Sequence, residues 1–365
     1  MKTSARAALS SVVPIAVGFC STACFQSRGA AGDEDDPRVG VGTPSVTSVI
    51  AGTPAETPAC DAEFDPAPVL ALAAERPIGW AAVDAMDHGV TTGGDGGEVV
   101  LARTLSELQA YAAAAEPMII AVCGLIGETG LRVEVLSNKT IIGVGTRPTL
   151  RASIDIDEAQ NIIIRNLYIA GASPDGIATR RTHHAWIDHV DISDSADGNL
   201  DVTDESDYVT VSYSRFWYSA SPPNPSHRFS NLIGSSDTRE TDRGHLKVTM
   251  HHNWWADNVT ERMPRTRYGD IHVFNNYYSS AGNNYCIRAG VSSTLLVEDN
   301  YFFRVSDPLD LEGGNVLERG NVFNAAGGTR ASTGTAFEPP YAYEPDPAAD
   351  VPEIVTSSAG PLLFE

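Results

Sequence analysis

The sequence predicts an all-β fold, a right-handed single-stranded parallel β-helix closed at its N-terminal end by a capping helix. Three observations carry this. A short strand of alternating residues recurs along the body. Each copy ends in a polar residue followed by apolar or aromatic ones. The copies also follow one another too closely to leave room for helices. With turn positions at 143, 166, 191, 214, 253, 276, 300 and 321, the steps are 23, 25, 23, 39, 23, 24 and 21 residues.

The elements run as follows. Residues 1–24 read as an export signal: Lys2 and Arg6 precede a small apolar run from Ala7 to Phe19. Cys24 after Ser-Thr-Ala resembles a bacterial lipoprotein acceptor, with simple secretion after nearby cleavage as the alternative. Residues 25–62, rich in Gly, Ala, Pro, Thr and Ser, cannot bury a core and read as a flexible tether. The domain proper is assigned to 63–365. Leu105 to Ala115 has helix formers with apolar helical spacing and is expected to cap the open end of the stack.

The strand copies then follow. Examples are Asn161-Ile-Ile-Ile-Arg-Asn166, Trp186-Ile-Asp-His-Val-Asp191, Val248-Thr-Met-His-His-Asn253 and Ile271-His-Val-Phe-Asn-Asn276. A β-sandwich of hairpins also spaces strands regularly, but the terminal Asn suits stacked coils, where it can take left-handed backbone and join a hydrogen-bonded ladder. The one long step implies an insertion over about 217–243, a length more often functional than not.

Charge narrows the function. The 365 residues carry 47 acidic and 25 basic side chains, a formal net charge of -22, which argues against nucleic acid or an anionic membrane as partner. Five cysteines are too few for a disulfide scaffold. Export would permit a Cys60–Cys123 bridge, and Cys286 reads equally well as a buried free thiol.

Against this acidic background, Arg262, Arg265 and Arg267 stand within six residues of one another. A guanidinium is a permanent charge with a fork of donors that fits a carboxylate, so the cluster suggests a site for a carboxylate-bearing polyanion. A second cluster is acidic. Asp197 and Asp201 flank a glycine, and Asp175 lies about one coil earlier, so the three can stack on one side. Such carboxylates repel unless protonated or bridged, and calcium is the bridge that accepts irregular sets of oxygens. A solvated turn is the plainer reading of the acidic pattern alone. His251 and His252 read as structural, one pointing inward and one outward, and His189 as a satisfied partner of Asp188.

Taken in order, Trp186-Ile187-Asp188-His189, Asp197-Gly-Asn-Leu-Asp201, Asp207-Tyr-Val-Thr-Val-Ser212, Leu232-Ile-Gly-Ser-Ser-Asp237 and the arginine cluster resemble the pectate lyases of polysaccharide lyase family 1. The resemblance covers about residues 78–365. It implies a right-handed parallel β-helix that cleaves α-1,4-linked polygalacturonate by calcium-dependent β-elimination, giving 4,5-unsaturated oligogalacturonides. It implies Arg262 as the base removing the C5 proton, Arg267 as the clamp on the substrate carboxylate with Arg265 supporting it, and Asp175, Asp197 and Asp201 as calcium ligands. A guanidinium holds its proton to above about pH 12, so the base role calls for alkaline pH and a small deprotonated fraction.

One position departs from the family pattern. Where a lysine is usual, three residues before Leu232-Ile-Gly, this chain has Phe229 with Arg228 beside it. Either Arg228 serves after a local shift or the subsite differs; Lys247 is another substitute in a less favourable strand position. Two alternative functions stand beside the lyase: a pectin lyase acting on methyl-esterified polymer, and a non-catalytic β-helix that binds polysaccharide at the cell surface. The expected setting is extracellular, either secreted or as an outer-surface lipoprotein anchored at Cys24. The expected partner is polygalacturonate or pectin, with no nucleic acid or protein partner implied and a monomer as the working form.

Overall fold

The computed structural model describes residues 64–362; the export signal, Cys24, the tether and Cys60 lie outside the described residues. The described chain is a parallel β-helix whose strands fall on three faces. The first face stacks Gln160–Arg165, His183–Asp188, Asp207–Ser212, Val248–His251, Asp270–Phe274, Thr294–Glu298 and Asn315–Arg319, every pairing parallel. The second stacks Tyr168–Ala170, Asp191–Ser193, Arg215–Trp217, Trp254–Trp255, Tyr277–Tyr278, Tyr301–Phe303 and Val322–Asn324. The third runs from Arg132–Glu134 through Ser153–Asp157, Ile177–Arg180, Gly198–Thr203, Phe229–Ile233, Arg265–Thr266 and Ile287–Ala289 to Leu309–Leu311.

The expected asparagine ladder forms between the first two faces. Asn276 Oδ1 accepts from Asn253 N at 2.9 Å and Nδ2 at 3.0 Å, and Asn300 repeats the arrangement towards Asn276 at 2.9 Å. The left-handed residue, however, is the one before the ladder member: Tyr213, His252, Asn275, Asp299 and Gly320 carry the positive φ. The ladder asparagine itself stays in ordinary backbone because its amide must point along the stack. Asn138 and Asn161 combine both, with φ 59° and 60° and Asn161 Nδ2 donating to Asn138 Oδ1 at 2.9 Å, while Asn166, φ 57°, donates to Gly143 O instead.

Alternation along the second face sends one set of side chains inward. Phe216, Trp255, Tyr278, Phe302 and Phe323 stack with ring centroids 5.8, 4.6, 4.4 and 5.1 Å apart. Identical register from coil to coil brings like side chains into such columns, adding ring-on-ring contact to the area each buries.

The capping helix spans Leu105–Ala112, shorter than expected because the chain turns at Ala113. Thr104 and Glu107 form a reciprocal capping box, and Leu108 and Ala112 are buried against the first coil. The long step is not one insertion. Phe229–Ile233 is a regular third-face strand, so the extra residues divide into two loops, 218–228 before it and 234–247 after it. Pairing with Gly198–Thr203 on one side and Arg265–Thr266 on the other holds this strand in the stack. Cys123 is disulfide-bonded, while Cys286 is a buried free thiol.

Candidate functional site

The third face gathers the chemistry, because parallel in-register pairing converts sequence spacing into columns. One outward column reads Asp201, Leu232, Arg265, Arg288 and Asp310. With strands about 4.8 Å apart, Asp201 and Arg265 lie on the order of 10 Å from each other along the helix axis. Gly198, Phe229 and Glu261 align on the neighbouring register.

Asp175 and Asp201 converge on Gly198. A Cβ there would stand 2.9 Å from Asp201 Oδ1 and 3.1 Å from Asp175 Oδ1, so a side chain at this position would press on both carboxylates. Asp175 is buried, and its Oδ1 has no hydrogen-bond partner. Burial, then the charge of Asp197, pushes its carboxyl up to about 6, against donation from the Gly198 amide and the charges of Arg180 and Arg262. Asp201 is raised for the same first reason, then by Asp175, while Arg262 and the Leu232 amide, 3.2 Å from Oδ1, oppose the rise. Asp197 behaves differently: it is exposed and meets His227 Nδ1 at 2.9 Å.

Among the described residues, no group of three or more His, Cys, Asp or Glu side chains is gathered closely enough to hold a metal ion as it stands. The donor set nevertheless fits a hard divalent cation. Two mutually repelling carboxylates share a glycine, and one buried oxygen lacks any partner. Asp197 would complete the set by turning from His227.

Arg262 sits across from these aspartates, close enough that its charge offsets both raised carboxyls. Its backbone is left-handed, φ 62°, and its carbonyl accepts from Asn231 N at 2.6 Å, which pins it to the adjacent coil. The guanidinium carbon lies 4.4 Å from the centre of the Phe229 ring, and its buried Nε has no partner. Phe229 therefore forms a floor under Arg262, and its ring also packs 4.8 Å from that of His227. Arg265 is half-buried, and burial followed by the charge of Arg267 lowers its affinity for the proton. Arg267 is buried, its Nε on the Asp237 carboxylate and its Nη1 2.7 Å from Gly234 O.

Arg228 does not take the place that Phe229 occupies. It precedes the strand, its carbonyl accepts from Thr260 N and Oγ1 at 2.8 and 3.0 Å, and its Nε is buried without a partner. Lys247 is engaged elsewhere, 2.9 Å from Asp207 Oδ2. His251 and His252 are both buried, against the expectation of one facing each way, because the strand ends at His251 and the C-terminal segment covers the turn. His252 Nε2 meets Asp346 Oδ2 at 2.9 Å. His189 pairs with Asp188 at 2.6 Å, as expected.

Sequence reading missed Arg288 and Tyr285. Arg288 is the coil-successor of Arg265, pairs with Asp310 and lies over Tyr285, Cζ to ring centre 4.1 Å. The repeat step applied to the arginine cluster would have found both.

Comparison with known proteins agrees with this fold. A protein-family model described as pectate lyase matches residues 67–338. Among curated proteins, the pectate trisaccharide-lyase of Thermotoga maritima is 37% identical over 237 residues, covering 60% of this chain and 60% of its own length. Pectate lyase E of Dickeya chrysanthemi is 33% identical over 282 residues, covering 61% of this chain and 67% of its own length. The chain thus spans about 60% of the Thermotoga protein's length. A solved pectate lyase from a Bacillus species, in complex with trigalacturonate, superposes with TM-score 0.66 at 29% identity, covering 78% of this chain and 98% of that one.

Proposed function

The chain belongs to the pectate lyase family, and from that premise we propose that it cleaves α-1,4-linked polygalacturonate by calcium-dependent β-elimination, releasing 4,5-unsaturated oligogalacturonides. The observation that carries the reading is Arg262 set over Phe229 and facing the Asp175–Asp201 pair.

The chemistry follows from where charge develops. C5 of a uronate is alpha to its carboxylate, so removing the C5 proton adds negative charge to a group already anionic. Arg262, in its small deprotonated fraction, takes that proton, the electron pair forms the C4–C5 double bond, and the C4–O4 bond breaks with its oxygen taking a proton from water, after which Arg262 returns its proton to solvent. Arg265, which has no ion pair among the described residues, faces the same groove as a counter-charge for the substrate. Arg267 would reach a substrate carboxylate by exchanging it for Asp237. Calcium, held by Asp175, Asp201 and Asp197, would supply a fixed positive charge beside the carboxylate as it becomes more negative. Arg228 is left as a contact further along the groove.

Purified protein is expected to raise ultraviolet absorbance with polygalacturonate and calcium, and chelation should abolish the rise. Absence of any rise from neutral to alkaline pH would defeat the assignment, and a faster rate on methyl-esterified polymer would favour a pectin lyase. Asp201→Asn should weaken the calcium response by at least tenfold in the concentration needed. Because Asp175 takes up a proton near pH 6 in the metal-free protein, calcium affinity should fall as pH drops through that value.

Phe229 acts on the reaction through Arg262. A cation over an aromatic face gains about 0.5–2 kcal/mol, enough to bias a flexible guanidinium toward one position. Phe229→Leu is expected to lower kcat about tenfold with KM within a factor of two, and Phe229→Tyr to restore it. Equal losses in the two variants would leave only a packing role. The N-terminal assignment adds that the protein is exported, secreted or held through Cys24, which the mass of the mature N-terminus tests.

A further inference from the structure

A second cavity, of about 340 Å³, opens on the second face, away from the strands that carry Arg262 and the aspartates. Arg147, Tyr168, Asp191, Arg215, Trp217 and Trp254 line it, and the residues after the C-terminal helix Val351–Ser358 close one side. Its volume is within the range of small-ligand sites.

The charges inside it are not balanced. The Arg215 guanidinium lies near two indole rings, its Cζ 5.1 Å from the Trp217 ring and 4.7 Å from that of Trp254. Its closest carboxylate contact, Nη1 to Asp191 Oδ2, is 3.6 Å, too long for a hydrogen bond. Asp191 Oδ1 is instead taken by Trp217 Nε1 at 2.8 Å. The Nε of Arg215 is buried and has no partner at all, an arrangement that costs free energy unless something accepts from it. Arg147 lies over Tyr168 at 5.1 Å and makes no ion pair among the described residues. Two guanidiniums thus share one carboxylate, in a protein where acidic residues outnumber basic ones by 47 to 25.

Flat faces continue beyond the cavity. Trp254, Tyr277 and Tyr301 form an outward column on successive coils, all partly exposed, with centroids 6.2 and 6.0 Å apart. This is the outward counterpart of the buried aromatic stack, and core packing does not require it. Aromatic faces beside arginines in excess of carboxylate recognise a ligand that has both an apolar ring face and a carboxylate.

We propose that this cavity is a second binding site for a uronic-acid unit of an acidic polysaccharide, its carboxylate pairing with the guanidinium ends of Arg215 and Arg147 while its ring lies on Trp254. The site is separate from the catalytic groove and needs no turnover. On a polymer, it would raise the effective concentration of chain at the groove without taking part in the reaction.

The test is calorimetric titration of the full chain carrying Arg262→Ala with trigalacturonate, repeated on the wild type with chelator present. Two binding events are expected. Arg147→Glu should weaken one of them at least tenfold and leave the other, and leave the wild-type rate on trigalacturonate unchanged. Trp254→Phe, which keeps a ring at the position, should remove the tryptophan fluorescence change that accompanies the weakened event. A single event, or two events both insensitive to Arg147→Glu, overturns the proposal. Displacement of trigalacturonate by inorganic phosphate at equal concentration, or equal binding of a neutral galactose trimer, overturns the assignment to a uronate. These readouts hold whether or not the protein cleaves the polymer, so failure here is distinct from failure of the lyase reading.

Discussion

Arg262→Ala is expected to lower kcat on polygalacturonate by about a thousandfold. General-base groups contribute on the order of 10²–10⁴ to rate, and loss of a charge placed where an anion develops costs about 10²–10³; Arg262 supplies both. The fold should survive, since the side chain is half-buried and its backbone is held by the Asn231 amide whatever the side chain is. Initial rates of absorbance rise, read beside the circular dichroism spectrum and melting temperature, check this. A rate within tenfold of wild type in a folded variant would remove Arg262 from the reaction. Arg262→Lys should recover little, because an ammonium keeps the charge but not the planar group that stacks on Phe229.

Trp255→Ala should cost about 3–5 kcal/mol of stability, the range for truncating a large buried aromatic. Trp255 is fully buried, stacked on Phe216 and Tyr278, with Nε1 donating to Ser230 Oγ at 2.9 Å and Asn231 Oδ1 at 2.8 Å. The second bond ties the inner aromatic column to the site, because Asn231 is the residue whose amide holds the Arg262 carbonyl. The variant should therefore lose activity at temperatures where its circular dichroism is still native. Trp255→Phe keeps a ring in the stack but loses the two hydrogen bonds and some buried volume, so its loss should be about 1–3 kcal/mol. Denaturant titration separates the two. A loss below about 1 kcal/mol for the alanine variant would mean that the column adds little beyond its neighbours.

The repeat made much of this molecule legible in advance. The strand copies, the ladder asparagines and the capping helix all depend on local spacing, which a linear sequence displays directly. Arg262 and Arg265 stood out as positive charge crowded into an acidic chain, and Asp201 as a carboxylate about one coil from Asp175; the roles expected of them came from the family resemblance. What escaped were contacts between residues whose offsets differ. His227 on Asp197 and the ring of Phe229 under Arg262 join separate coils through loop geometry. The division of the long step into two loops around a strand was hidden likewise, because a two-residue pairing such as Leu232 and Ile233 with Arg265 and Thr266 leaves no periodic trace.

By itself the sequence determined the β-helix, because a side-chain period of two repeated at nearly constant spacing is satisfied by stacked parallel strands. It also pointed toward an anionic partner, since three arginines stand within six residues of one another in an acidic chain. Only the tertiary structure decided how those charges differ. It buried Arg267 against Asp237, left Arg262 on an aromatic floor, set Asp175 and Asp201 against one glycine and turned Asp197 outward. The reason is electrostatic: burial and the nearest charge set what a side chain does, and both depend on neighbours a coil or more away.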